Sequence, residues 1–135
     1  MTELTVTRLL NAAPERVWRA FTSADELAAW FWPDAWDTTV SVDLRVGGRY
    51  RVASVPIGMA FGGEYLEIEP IDLLRQTWRW DGDDDETLVT IRLTPDGTGT
   101  QLEIVHERFT SDEQVADHLQ GWNDCLDRLP AFVAG

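Results

Sequence analysis

His106 and His118 are the residues of this chain best suited to move a proton near neutral pH, where imidazole titrates. His106 shares strand parity with Leu102 and Ile104, so it is predicted to face the same side as those two. His118 and Trp122 stand one helical turn apart and share a face. If that strand and that helix pack together, both rings approach one cavity. They would then orient a polar head group, or one would serve as a general acid or base. The alternative is a pair of core histidines satisfied by backbone or carboxylate partners. For catalysis the second reading is preferred, and no catalytic residue is assigned; pocket lining without chemistry is expected. Arg92 and Tyr65 are the other polar groups that could turn into the same space.

The remaining reactive side chains carry less. Glu107 has the opposite parity to His106 and should point away, so the two histidines lack a third metal ligand. Asp81, Asp83 and Asp85 resemble the start of a calcium loop. The sixth position is Glu86 rather than Gly, and the twelfth is Arg92 rather than Glu, so the run reads as a solvated hairpin tip. Cys125 has no base assigned beside it and reads as a small apolar filler. As the single cysteine it can form no internal disulfide. No Gly-x-Ser-x-Gly elbow and no phosphate-cradling glycine loop is present. Neither a metal nor a cofactor is expected.

The element that must position these groups is a long C-terminal helix, Thr110 to Val133. Thr110 and Glu113 have the spacing of a capping box. Val115, Leu119, Trp122, Leu126, Leu129 and Val133 recur at alternating steps of four and three, one apolar stripe. Pro130 should kink or fray the end. Gly121 is expected to leave room for close approach of another element beside Trp122. Such a stripe needs a broad apolar surface, and most of the preceding chain reads as strands. Residues 3–10 alternate as a first strand. Pro14 then opens a short helix with Val17, Trp18 and Phe21 inward. Ser23 and Glu26 box the start of a second, with Leu27, Trp30 and Phe31 inward, and Pro33 stops it. Residues 38–46, 49–54, 64–69, 73–80, 87–94 and 100–109 read as further strands. The stretch 55–63, with Pro56 and three glycines, reads as an irregular loop. Strands that follow one another without crossover helices favour an antiparallel sheet. One helix covers such a sheet best if the sheet curves around it. The predicted fold is therefore α+β, with two short helices after strand 1, a curved antiparallel sheet and one long C-terminal helix.

Acids outnumber bases 24 to 11, a formal charge of −13 that argues against nucleic acid and anionic lipid surfaces as partners. Seven tryptophans are a large count for 135 residues. Each is read first as a core anchor, and several together as the lining of a cavity. No secretory signal pattern or membrane-span window is visible, and the simplest location is the cytoplasm. One domain over residues 1–135 is expected.

Residues 13–31, from Ala-Pro-Glu-Arg-Val-Trp to Leu-Ala-Ala-Trp-Phe, resemble the opening of the START-like, or SRPBCC, superfamily, and its branch named after the activator of Hsp90 ATPase. Asp43-Leu-Arg-Val-Gly-Gly-Arg-Tyr, Gly63-Glu-Tyr-Leu-Glu-Ile-Glu-Pro, Leu74-Arg-Gln-Thr-Trp-Arg-Trp, Thr87-Leu-Val-Thr-Ile-Arg-Leu, His106-Glu-Arg-Phe and His118-Leu-Gln-Gly-Trp-Asn are similar to its later marks, in order. The resemblance implies a helix-grip fold with a cavity between sheet and helix. Members of the superfamily bind lipids, hormones and polyketides, and some are cyclases or aromatases. The expected function is a binding domain for a small hydrophobic or aromatic ligand, as a monomer or homodimer. A cyclase-type enzyme and a co-chaperone-like interaction domain stand as alternatives. The residues expected to line the ligand site are Trp30, Phe31, Trp36, Met59, Phe61, Trp78, His106, His118, Trp122 and Leu126.

Overall fold

The computed structural model describes residues 2–134. The elements are β1 (Glu3–Leu10), α1 (Pro14–Thr22), α2 (Ala24–Trp30), a single 3-10 turn (Asp34–Trp36), β2 (Thr39–Val42), β3 (Arg49–Ser54), β4 (Met59–Glu69), β5 (Leu73–Trp80), β6 (Thr87–Asp96), β7 (Gly99–Glu107), α3 (Asp112–Leu126) and α4 (Leu129–Ala134). The seven strands form one antiparallel sheet in the order β1-β7-β6-β5-β4-β3-β2. The α+β helix-grip reading holds, with the two short helices following β1 and α3 lying over the sheet.

The parity of β7 works as expected. Leu102, Ile104 and His106 are all fully buried, while Gln101 is exposed and Glu103 and Glu107 are half-buried on the other side. Ser23 caps α2 by accepting the backbone N–H of Glu26. Trp30 ends that helix as an anchor: its indole N–H donates to the Ala20 carbonyl at 2.8 Å, and its ring meets Phe21 edge-on at 5.2 Å.

The structure corrects the strand pattern in two places. Only Thr39–Val42 of the stretch 38–46 is paired, as the edge strand; Leu44 and Val46 are exposed in the turn that follows. The presumed loop 55–63 is a turn only as far as Gly58, because β4 begins at Met59. Gly62 and Gly63 lie inside that strand. A Cβ on Gly63 would fall 2.0 Å from the Thr77 carbonyl oxygen, so this glycine serves a close approach of β4 to β5 rather than a loop.

The C-terminal helix is also corrected. Its N-cap is Ser111, whose Oγ accepts the Gln114 N–H; Gln114 Oε1 in turn accepts from the Thr110 backbone N–H. The box thus sits one residue later than Thr110–Glu113. The helix stops at Leu126, not at Pro130, and α4 resumes at Leu129. Pro130 has no N–H for the Leu126 carbonyl and its ring would crowd that oxygen, so the break falls one turn ahead of it. Leu119 is 38% exposed, because the buried face runs through Trp122, Cys125 and Leu126 and leaves Leu119 on the outer flank.

Candidate functional site

A cleft of about 600 Å3, partly open to solvent, lies between α3, the segment after α2 and strand β5. Its apolar wall comes from the α2 exit, with Phe31, Trp32, Pro33 and Trp36, and from Met59 at the start of β4. Trp78 and Trp80 share one face of β5 and contribute from the sheet. The helix gives two adjacent rows. His118, Trp122 and Cys125 point toward the sheet, and Asp117, Gly121 and Asp124 follow the cleft along the next row, continued by Asp127 and Arg128.

The aromatic rings support one another. Phe61 stacks flat on Trp78, with centroids 3.6 Å apart and planes 9° apart. Phe31 meets Trp122 edge-on at 5.9 Å, and Trp32 lies 5.3 Å from Trp36. The indole N–H of Trp78 is buried and has no acceptor among the described residues.

Each histidine is held in one tautomer by an indole, which can only donate. Trp122 Nε1–H donates to His106 Nδ1 at 3.1 Å. His106 must then carry its proton on Nε2, 2.7 Å from Thr87 Oγ1, and Thr87 passes its own hydroxyl proton to the Trp78 carbonyl. Burial, and next the neighbouring His118, push His106 down from 6.5 to about 3, so it is neutral. Trp80 Nε1–H donates to His118 Nε2 at 2.8 Å, which leaves the proton on Nδ1, facing the Gln114 carbonyl at 2.8 Å. Neither ring has a free nitrogen. Burial pushes the Cys125 thiol up to about 12, which keeps it from serving as a thiolate.

Of the ten residues expected to line the site, Phe31, Trp36, Met59, Trp78, His118 and Trp122 border this cleft. Trp30, Phe61, His106 and Leu126 do not. They are 1%, 2%, 0% and 0% exposed, and they form the layer behind it. Arg92 is exposed, since its neighbours Ile91 and Leu93 take the inward positions of β6. Tyr65 does point inward, but it packs on Tyr50 at 5.4 Å, and burial raises its phenol above the ordinary range. Gly121 has no atom within 4 Å of where its Cβ would be, so no other element approaches it. The expected lining omitted Trp32 and Trp80, although Trp80 shares the parity of Trp78. It also missed the row Asp117, Gly121, Asp124 and Arg128, whose spacing of four, three and four marks one side of a helix. Among the described residues no three His, Cys, Asp or Glu side chains group as metal ligands, and no helix is long and apolar enough to cross a membrane.

The family model described as "Activator of Hsp90 ATPase homolog 1-like protein" matches residues 11–134. Among curated proteins none matches this chain. Solved structures do. Protein CV1439 from Chromobacterium violaceum is 34% identical, with a TM-score of 0.86 over 100% of this chain and 99% of that one. CalU16 from Micromonospora echinospora is 28% identical, with a TM-score of 0.77 over 97% of this chain and 75% of that one. PFC0360w, an HSP90 activator from Plasmodium falciparum, shares the fold at 22% identity, with a TM-score of 0.81 over 99% of this chain and 97% of that one.

Proposed function

From the premise that this chain belongs to the family of activator of Hsp90 ATPase homolog 1-like proteins, within the START-like superfamily, we propose that it binds a small ring-bearing apolar ligand in the cleft beside α3. The observation that carries this reading is the cleft itself: about 600 Å3, walled by tryptophan and phenylalanine, which is within the usual size range of ligand pockets. Gly121 is a second support. A glycine in the middle of a helix costs about 1 kcal/mol relative to alanine. No packing contact here requires it, and a side chain at that position would project into the open space along the cleft.

Binding is preferred to catalysis because the two imidazoles and the thiol beside the cleft are already engaged. Both histidines have both ring nitrogens engaged, and the Cys125 thiol is held protonated. The chain's eleven basic residues are all arginine, so no lysine amine is present either.

The test is Gly121→Trp, followed with the neutral dye Nile red and with native mass spectrometry of the purified protein. The substituted position is exposed and unpacked, so the variant should keep the wild-type circular dichroism. Dye binding should fall at least about tenfold, as expected when the occupied volume is filled. Equal binding by wild type and variant refutes the cleft as the ligand site.

A further inference from the structure

We propose that the ligand of this cleft is an organic cation, a planar apolar body carrying a protonated amine. This rests on the reading of the cleft as a small-molecule site and specifies the charge that site selects. Three carboxylates, Asp117, Asp124 and Asp127, line it against one guanidinium, Arg128. That guanidinium is partly engaged: Nε donates to the Trp30 carbonyl at 3.1 Å and Nη2 to the Phe31 carbonyl at 2.6 Å. These are carbonyls at the end of α2, which Arg128 caps.

The carboxylates are not matched in the same way. Elsewhere on the molecule Glu26, Asp43, Glu64, Asp81, Glu67 and Glu86 each stand against an arginine. Among the described residues Asp117, Asp124 and Asp127 form no such pair. Gln120 Nε2 donates to Asp124 Oδ1 at 3.0 Å. Asp117 and Asp124 flank Gly121 on one row of α3, so both negative charges border the gap that the glycine leaves.

The aromatic wall favours the same charge. Trp36 and Trp80 are half-buried where they line the cleft, with Trp32 between them at 5.3 and 6.4 Å. The face of an indole is the negative end of its quadrupole and attracts a cation. An apolar body against Phe31, Trp78 and Trp122 with its amine toward Asp117 and Asp124 meets both features. A carboxylate or phosphate in the same position would meet three acids against one arginine. The overall charge of −13 acts in the same direction at longer range.

Isothermal titration with three compounds of one shape separates the alternatives: 2-naphthylmethylamine, 2-methylnaphthalene and 2-naphthoate. The amine should bind best and the carboxylate worst, with a gap of about tenfold at low salt, as expected for a net charge of two at a solvent-facing rim. Raising the salt to several hundred millimolar should narrow the gap. In the double variant Asp117→Asn, Asp124→Asn the amine and carboxylate should converge while the neutral compound is unaffected. Binding of the neutral compound with no preference for amine over carboxylate overturns the cation inference and leaves the cleft as a binding site. Failure of all three to bind overturns both.

Discussion

Acidifying the protein from pH 7 to pH 5 should remove about 2 kcal/mol of stability through His106 alone. In the unfolded chain this imidazole titrates near 6.5, whereas in the fold it is held down to about 3. The folded pKa is depressed, so the unfolded state binds the extra proton throughout the window between those values. Stability therefore rises with pH there, and it is lost as pH falls below the unfolded value. The linkage relation gives about 0.7 kcal/mol lost between pH 7 and 6, and about 1.2 kcal/mol more between pH 6 and 5. The chief cause is burial, followed by the neighbouring His118; a second ring proton would also have to sit on Nδ1, where the Trp122 N–H already points. Urea unfolding at half-unit steps of pH measures the change. His118→Gln leaves His106 as the only imidazole in the chain; it also removes the lesser of the two causes of the shift, so the loss in this variant should be somewhat smaller but still present. The window stops at pH 5 so that most carboxylates remain ionised. Stability that stays level from pH 7 to 5 in this variant would refute the argument. So would a ring proton of His106 that titrates near 6.5 by NMR in the folded protein.

Substitutions at two further positions probe the helix. Trp122 is 5% exposed and donates to His106, so its removal both opens space and orphans a buried acceptor. Trp122→Ala should cost about 3–5 kcal/mol in urea denaturation, and Trp122→Phe about 1–3 kcal/mol; a loss under 1 kcal/mol in both would contradict the packing described. Leu119→Ala should cost less than about 1 kcal/mol because the side chain is already 38% exposed; a loss of 3 kcal/mol would mean that the apolar stripe packs as the sequence pattern suggested.

How much of this was legible in the sequence depended on which residues report their surroundings locally. Strand alternation placed His106 with Leu102 and Ile104, because a strand has only two faces and the apolar neighbours mark which is inside. Ser23 and Pro14 announced the two short helices through hydrogen bonds made, or not needed, within one turn. Gly62 and Gly63 misled, since a glycine that admits a neighbouring strand looks the same in sequence as a glycine in a loop. The cleft was the hardest part. Its lining includes Asp117, Gly121 and Asp124, residue types that a polarity pattern assigns to plain solvent. Whether such a row faces bulk water or the edge of a cavity depends on how α3 stands against β5 and the exit of α2, elements about 40 to 90 residues away in the chain. The histidine pair lay between these cases: the shared side was readable, but the indole partners that fix each tautomer come from Trp80 and Trp122 on different elements.

The order of strands has a consequence for synthesis. Of the seven strands of the sheet β1 leaves the ribosome first, but its sole neighbour is β7, with Leu4 opposite His106 and Leu10 opposite Thr100. At translation speeds of 5–20 residues per second, a gap of roughly 100 residues is an interval of about 5–20 s. For that time Leu4, Val6 and Leu10, all buried in the finished fold, have no strand to pair with. β2 to β6 can meanwhile form as a run of hairpins, each strand pairing with the one before it. The strand of this sheet that is made first is thus paired last, and the sheet cannot be completed until the residues around His106 have been made.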